Sequence, residues 1–131
     1  MKRLLDTNVY SDLIRGDARV VEEVGRSTHL FLSSIVIGEL LFGFRRGSRL
    51  VENRALLEEF LSRPYVSQLS VGRDTAERFG AISASLAATG QPIPQNDMWI
   101  AAHAFESGAE LLSADKHFSH VAGLAWLDPR G

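Results

Sequence analysis

Residues 2–16 read KRLLDTNVYSDLIRG. Residues 2–6 form a short strand that ends at a carboxylate, Asp6. Residues 8–15 form a helix, and Gly16 stops it. The rest of the chain extends the same alternation. A helix follows from Ala18 to Arg26, with Val20, Val21 and Val24 at helical spacing. HLFLS, 29–33, is a strand, and Ser34 is placed to cap a helix through IVIGELLFGF. RLVENRALLEEFLS, 49–62, is an amphipathic helix that Pro64 terminates, and 65–69 is a short extended piece. A long helix spans 73–89 and closes at Gly90. The loop GQPIPQ, 90–95, is too short to separate domains. Asn96 is placed to cap the helix DMWIAAHAFES, which Gly108 stops. ELLS, 110–113, and residues 124–127 are the last strands. Strands alternating with helices predict an α/β fold: one domain over 1–131, a three-layer α/β/α sandwich on a short, mostly parallel central sheet.

Composition narrows the function. The 131 residues carry 45% hydrophobic and 23% charged side chains, so the chain is not broadly disordered. With no cysteine, a disulfide scaffold, a zinc-thiolate site, an iron–sulfur cluster and a cysteine nucleophile are all excluded. No apolar run nears the roughly 18 residues of a membrane span. Asp6 and Asp12 interrupt what would be a signal peptide's apolar core, so the expectation is a soluble, cytoplasmic protein. The net charge of −2 gives no bulk sign of a nucleic-acid-binding domain.

Ligands of open α/β sheets bind beyond the carboxyl ends of strands. Four acids lie there: Asp6 ends the first strand, Glu39 lies in the helix after HLFLS, Asp97 opens the helix after the Pro/Gly loop, and Asp115 follows ELLS by two residues. Three have structural alternatives. Asp6 and Asp115 are placed to cap turns, and Asp97 sits where a helix dipole favours negative charge. Glu39 lies among Ile35, Val36, Ile37, Leu40, Leu41, Phe42 and Phe44. A helix apolar on nearly every face is expected to be buried, and a carboxylate inside it must be paired, protonated or metal-bound. The alternative is a narrow polar stripe shared with Arg46. Gly38 and Gly43 flank Glu39 and suggest a close backbone approach.

Four converging acids without a basic partner repel one another, and a divalent cation removes that repulsion. Carboxylate oxygens suit Mg²⁺, with Mn²⁺ as a substitute. The cation reverses the local sign, admits a phosphate-bearing substrate and activates water for phosphodiester cleavage.

The ordered blocks LLDTNVYSDLIRG, SSIVIGELLFG, PQNDMWIAAHAF and LLSADKHFSHVAGLAW resemble the PIN-domain ribonucleases, most of all the VapC-type toxins of bacterial toxin–antitoxin modules. The resemblance runs from Leu4 to Trp126. It implies that Asp6, Glu39, Asp97 and Asp115 are the catalytic acids. Asp6 and Asp97 would bind metal, and Asp115 would do so directly or through water. Ser113, with Thr7 and Asn8, would orient the carboxylates. It implies cleavage of RNA, such as tRNA or ribosomal RNA, an antitoxin partner whose basic side chain plugs the acidic site, and a homodimer.

His117 and His120 form an H-x-x-H pair without a third ligand at helical spacing, so both are read as structural or surface histidines. His103, Trp99 and Trp126 are read as packed side chains. Arg45, Arg46 and Arg49 form the densest basic patch, either a solvated face or an RNA contact. Three rival functions compete with the ribonuclease. A receiver-type phosphoacceptor would need an Asp ending a central strand, but no Asp lies between Asp17 and Asp74. A dehalogenase-like phosphatase would need an Asp where Asn8 stands. The third rival is a PIN-fold binding module without nuclease activity.

Overall fold

The computed structural model describes residues 1–131. The chain runs β1 (Lys2–Leu5), α1 (Thr7–Arg15), α2 (Ala18–Gly25), β2 (His29–Ser33), α3 (Ser34–Arg46), α4 (Leu50–Leu61), β3 (Val66–Leu69), α5 (Arg73–Thr89), α6 (Gln95–Ser107), β4 (Glu110–Leu112), a 3₁₀ turn (Lys116–His120) and β5 (Trp126–Leu127). The five strands lie in the order β3-β2-β1-β4-β5. Every neighbouring pair is parallel, with Leu4 beside Phe31 on one side and Leu111 on the other. No helix is long and apolar enough to cross a membrane.

Strands buried on both faces read as near-continuous apolar runs. Leu4, Leu5, Leu32, Leu111 and Leu112 are all fully buried, in one cluster with Val9, Val36, Ile100 and Phe118. The exception is Arg3, 2% exposed in the central strand. Its guanidinium is neutralised by Glu23 at 2.8 Å and Glu110 at 3.0 Å, and it donates to the Glu23 carbonyl. A buried charge persists only with such pairing.

From β1 the chain moves outward to β2 and β3, then returns across β1 to β4 and β5. Right-handed crossovers that travel in opposite directions place their helices on opposite faces of the sheet. They also open a crevice beyond the carboxyl ends of β1 and β4, where the order reverses.

Helix ends differ from expectation in two places. Ser33, not Ser34, caps α3: its extended backbone leaves Oγ free to accept the Ile35 N–H at 3.0 Å. Pro94, not Asn96, is the N-cap of α6, so Asn96 lies inside the helix and its side chain serves another purpose. The expected burial of α3 is also corrected. Only Val36 and Leu40 are buried, and Phe42 is 62% exposed. Ile35, Ile37, Leu41 and Phe44 pack half-buried against the core beside them, and Phe42 is the one large apolar side chain of the helix left exposed. Nor is there a close approach at Gly38 or Gly43, where an added Cβ would meet nothing within 4 Å.

Candidate active site

The crevice at the reversal is a cleft of about 240 Å³ lined by Asp6, Thr7, Asn8, Glu39, Asp97, Ile100 and Asp115. The four acids of the sequence reading therefore share one cavity, although they come from four separate segments of the chain.

Asp6 is both a helix cap and a cleft residue. Its Oδ1 accepts the Val9 N–H at 3.0 Å, and its Oδ2 accepts the hydroxyl of Ser113. Ser113 is fully buried and ties the two central strands together. Its Oγ also accepts the Asp115 N–H at 3.0 Å, and its carbonyl accepts the Trp126 indole N–H at 2.8 Å. One hydroxyl thus fixes the side chain after β1 and the backbone after β4. Burial pushes the Asp6 carboxyl up from its ordinary value despite the Ser113 and Val9 donors, and the charges of Asp115 and Glu39 add to the rise.

Glu39 has no cationic partner. Thr7 donates to its Oε1 at 2.6 Å, and Asn96 donates from Nδ2 to its Oε2 at 3.2 Å. The carboxylate is half-buried rather than enclosed, since α3 meets the cleft at its edge. The polar-stripe alternative with Arg46 is not what holds it. Thr7 bonds Glu39 and Ser113 bonds Asp6, the contacts that an orienting role requires. Asn8 lines the cleft but bonds no carboxylate, because its position in the first turn of α1 leaves its amide exposed. Asn96 takes that place instead.

Asp97 lies in the first turn of α6, mostly shielded from solvent. Its carboxyl is pushed up to about 6, first by burial and then by the charge of Asp115, with Glu39 adding to the rise and His117 opposing it. Asp115 caps the 3₁₀ turn through the His117 N–H at 2.9 Å. That turn carries the His117 ring back over the cleft, with Nδ1 at 3.0 Å from Asp115 Oδ1 and 3.5 Å from Asp97 Oδ2. His117 is a correction: it is not a bystander. One ligand atom from each of Asp97, Asp115 and His117 falls within 4.8 Å of the others. Asp6 lines the same cleft but lies outside that cluster. This oxygen-rich set, in which burial and the neighbouring carboxylates raise the Asp97 carboxyl, suits a hard divalent cation.

The remaining expectations divide. His103 is fully buried between Ser33 Oγ and the Ser70 carbonyl, a packed side chain as read. Trp99 stacks on Phe79 at 3.9 Å, half-buried, and Trp126 is half-buried as well. Arg45, Arg46 and Arg49 are exposed and lie outside the cleft; Arg49 pairs with Glu52 at 3.4 Å.

A model of the family described as "PIN domain" matches residues 3–124. Among curated proteins, the chain is similar to ribonuclease VapC2 of Haemophilus influenzae, 34% identical over 129 residues and 95% of each chain. It is also similar to the tRNA(fMet)-specific endonuclease VapC of Shigella flexneri, 30% identical over 127 residues and 95% of each. Among solved structures it resembles VapBC-1 of nontypeable Haemophilus influenzae, with a TM-score of 0.87 and 25% identity over the whole of both chains. DNA-bound VapBC of Salmonella typhimurium gives 0.86 and 27% over 98% of each.

Proposed function

This chain belongs to the PIN-domain family, among its VapC ribonucleases, and from that premise we propose that its acidic cleft cuts RNA with Mg²⁺ held by carboxylates. The protein is an endoribonuclease toxin, and an antitoxin is its partner. The convergence of Asp6, Glu39, Asp97 and Asp115 in one cleft at the sheet's reversal point carries the reading. The matched relative from Shigella makes initiator tRNA the first substrate to test. The cytoplasm, where such RNA resides, is the proposed site of action, and a homodimer is the proposed assembly.

Asp97 and Asp115, with Asp6 lining the same cleft, would hold the ion. His117 orients Asp115 and contributes to the same donor cluster. When bound, Mg²⁺ supplies an activated water and positive charge for the phosphate. Thr7 and Asn96 hold Glu39 in place, and Glu39 accepts the proton of the attacking water. Ser113 keeps Asp6 and Asp115 in register.

The test is cleavage of tRNA by the purified chain in Mg²⁺, in Mn²⁺ and in EDTA, together with a substrate carrying a single 2′-deoxy sugar just before the cut. Cleavage that needs the cation and survives the 2′-deoxy substitution is expected. Cutting that persists in EDTA would overturn the metal reading. Cutting abolished by the 2′-deoxy sugar would make the 2′-hydroxyl, rather than water, the nucleophile.

A further inference from the structure

We propose that the exposed face of α3 beside the acidic cleft is a nucleobase-stacking subsite for single-stranded RNA, with Phe42 as its platform and Arg46 as its phosphate contact. The proposal rests on the ribonuclease reading above.

Of the seven Phe and two Trp side chains, Phe42 alone is exposed. It does not join the core, and its ring is covered only in part, by the Arg46 guanidinium 5.6 Å from its centroid. Phe42 lines a second cleft, with Ser34, Ile35, Gly38, Glu39 and Asn96. Glu39 lines both clefts, so the second adjoins the first.

Helical geometry sets the order of the groups. Glu39, Phe42 and Arg46 lie at successive turns of one face, so an aromatic ring stands about 5 Å along the axis from the acid and a cation about 10 Å from it. Gly38 has open space above its Cα and leaves the cleft floor flat enough for a planar ring. Asn96 gives its Nδ2 to Glu39, which leaves Oδ1 without a hydrogen bond as an acceptor for a base edge. Arg45 and Arg46, in the last turn, form no ion pair, on a protein of net charge −2. Apolar platform, unpaired cations and a position adjoining the acidic cleft match a strand whose bases stack while its backbone tracks positive charge. A paired duplex hides its bases from such a platform, so the occupant is a loop or an unpaired end.

The experiment measures binding of labelled 12-mer single-stranded RNA by fluorescence anisotropy in EDTA, where cleavage does not intervene. The proteins are wild type, Phe42→Ala, Phe42→Leu and Phe42→Tyr, with sedimentation velocity on each. Stacking of one base predicts roughly ten- to hundredfold weaker binding for the Ala and Leu variants and near wild-type binding for Tyr. In Mg²⁺, the Ala and Leu variants should raise KM more than they lower kcat. Unchanged binding by Phe42→Ala would overturn the proposal. So would weaker binding that accompanies a change in oligomeric state, which would assign the face to a second copy of this chain. An aromatic requirement for binding in a wild-type protein that cuts no RNA would leave the subsite standing and overturn the ribonuclease reading alone.

Discussion

Replacing Asp97 by Asn should stabilise the metal-free protein at neutral pH. The carboxyl titrates near 3.8 in an unfolded chain and is pushed up to about 6 in the fold. Between those values the folded chain holds a proton that the unfolded chain has lost, so stability falls as pH rises from about 4 through 6. Each tenfold in acidity is about 1.4 kcal/mol, which sets a ceiling of about 3 kcal/mol above pH 7. Water penetration and relaxation around the cleft reduce this to about 1–2 kcal/mol. Asn resembles the protonated acid and has no such dependence. Melting in EDTA should therefore show near-equal stability of the two proteins at pH 4 and an advantage of about 3–10 °C for the variant at pH 7.5. Mg²⁺ should reverse the order, since native-state binding at a hundredfold excess over Kd adds about 2.7 kcal/mol to the wild type. An Asn variant that melts below wild type at pH 7.5 without metal, or that gains as much from Mg²⁺, would refute the repulsion argument and place the cation elsewhere.

Asp6→Asn should abolish cleavage and growth arrest while melting within about 1 kcal/mol of wild type, because Asn caps α1 as well as Asp does; residual arrest at wild-type strength would remove Asp6 from the chemistry. Glu39→Gln should also keep the fold, since Gln retains an oxygen for Thr7 and the site loses a repelling charge, yet lose most of its activity. A variant that melts several degrees lower but cuts normally would make Glu39 structural. Ser113→Ala should cost about 1–3 kcal/mol, because the Asp6 carboxylate and the Asp115 N–H both lose their partner in a buried position. Its kcat should fall even under conditions where circular dichroism shows it folded, and an unchanged kcat would deny Ser113 any positioning role.

Local signals account for what the sequence makes legible. The bounds of α5 were readable because a helix-forming stretch ends on Gly90, whose φ of 67° suits glycine. Asp6 and Asp115 were readable as site residues because each follows a strand, and both also cap a turn: in this fold the two readings are one arrangement. The partner of Glu39 was not readable. Asn96 lies 57 residues away, and its local setting suggested a helix cap that Pro94 provides instead. His117 was missed for a related reason. A search at helical spacing overlooks a ring that a 3₁₀ turn folds back onto Asp115, two residues earlier, and toward Asp97 on a different helix. For α3, the pattern identified an apolar helix but not which of its faces the rest of the chain would cover.

The sheet order also has a consequence for the timing of synthesis. β1 sits at the centre of the sheet, and its neighbour β4 is made 107 residues later, Arg3 lying beside Glu110. Asp6 gains its Ser113 hydroxyl, and Ser113 its Trp126 and Leu127 contacts, only after residues 113–127 have left the ribosome. At about 5–20 residues per second, the 107 residues from Arg3 to Glu110 take roughly 5–21 s to make. Through most of that interval Asp6 and Glu39 sit on a chain that does not yet contain Asp97 or Asp115. No complete cleft therefore exists until the segment that carries Asp115 and Trp126 has been made and has joined β1.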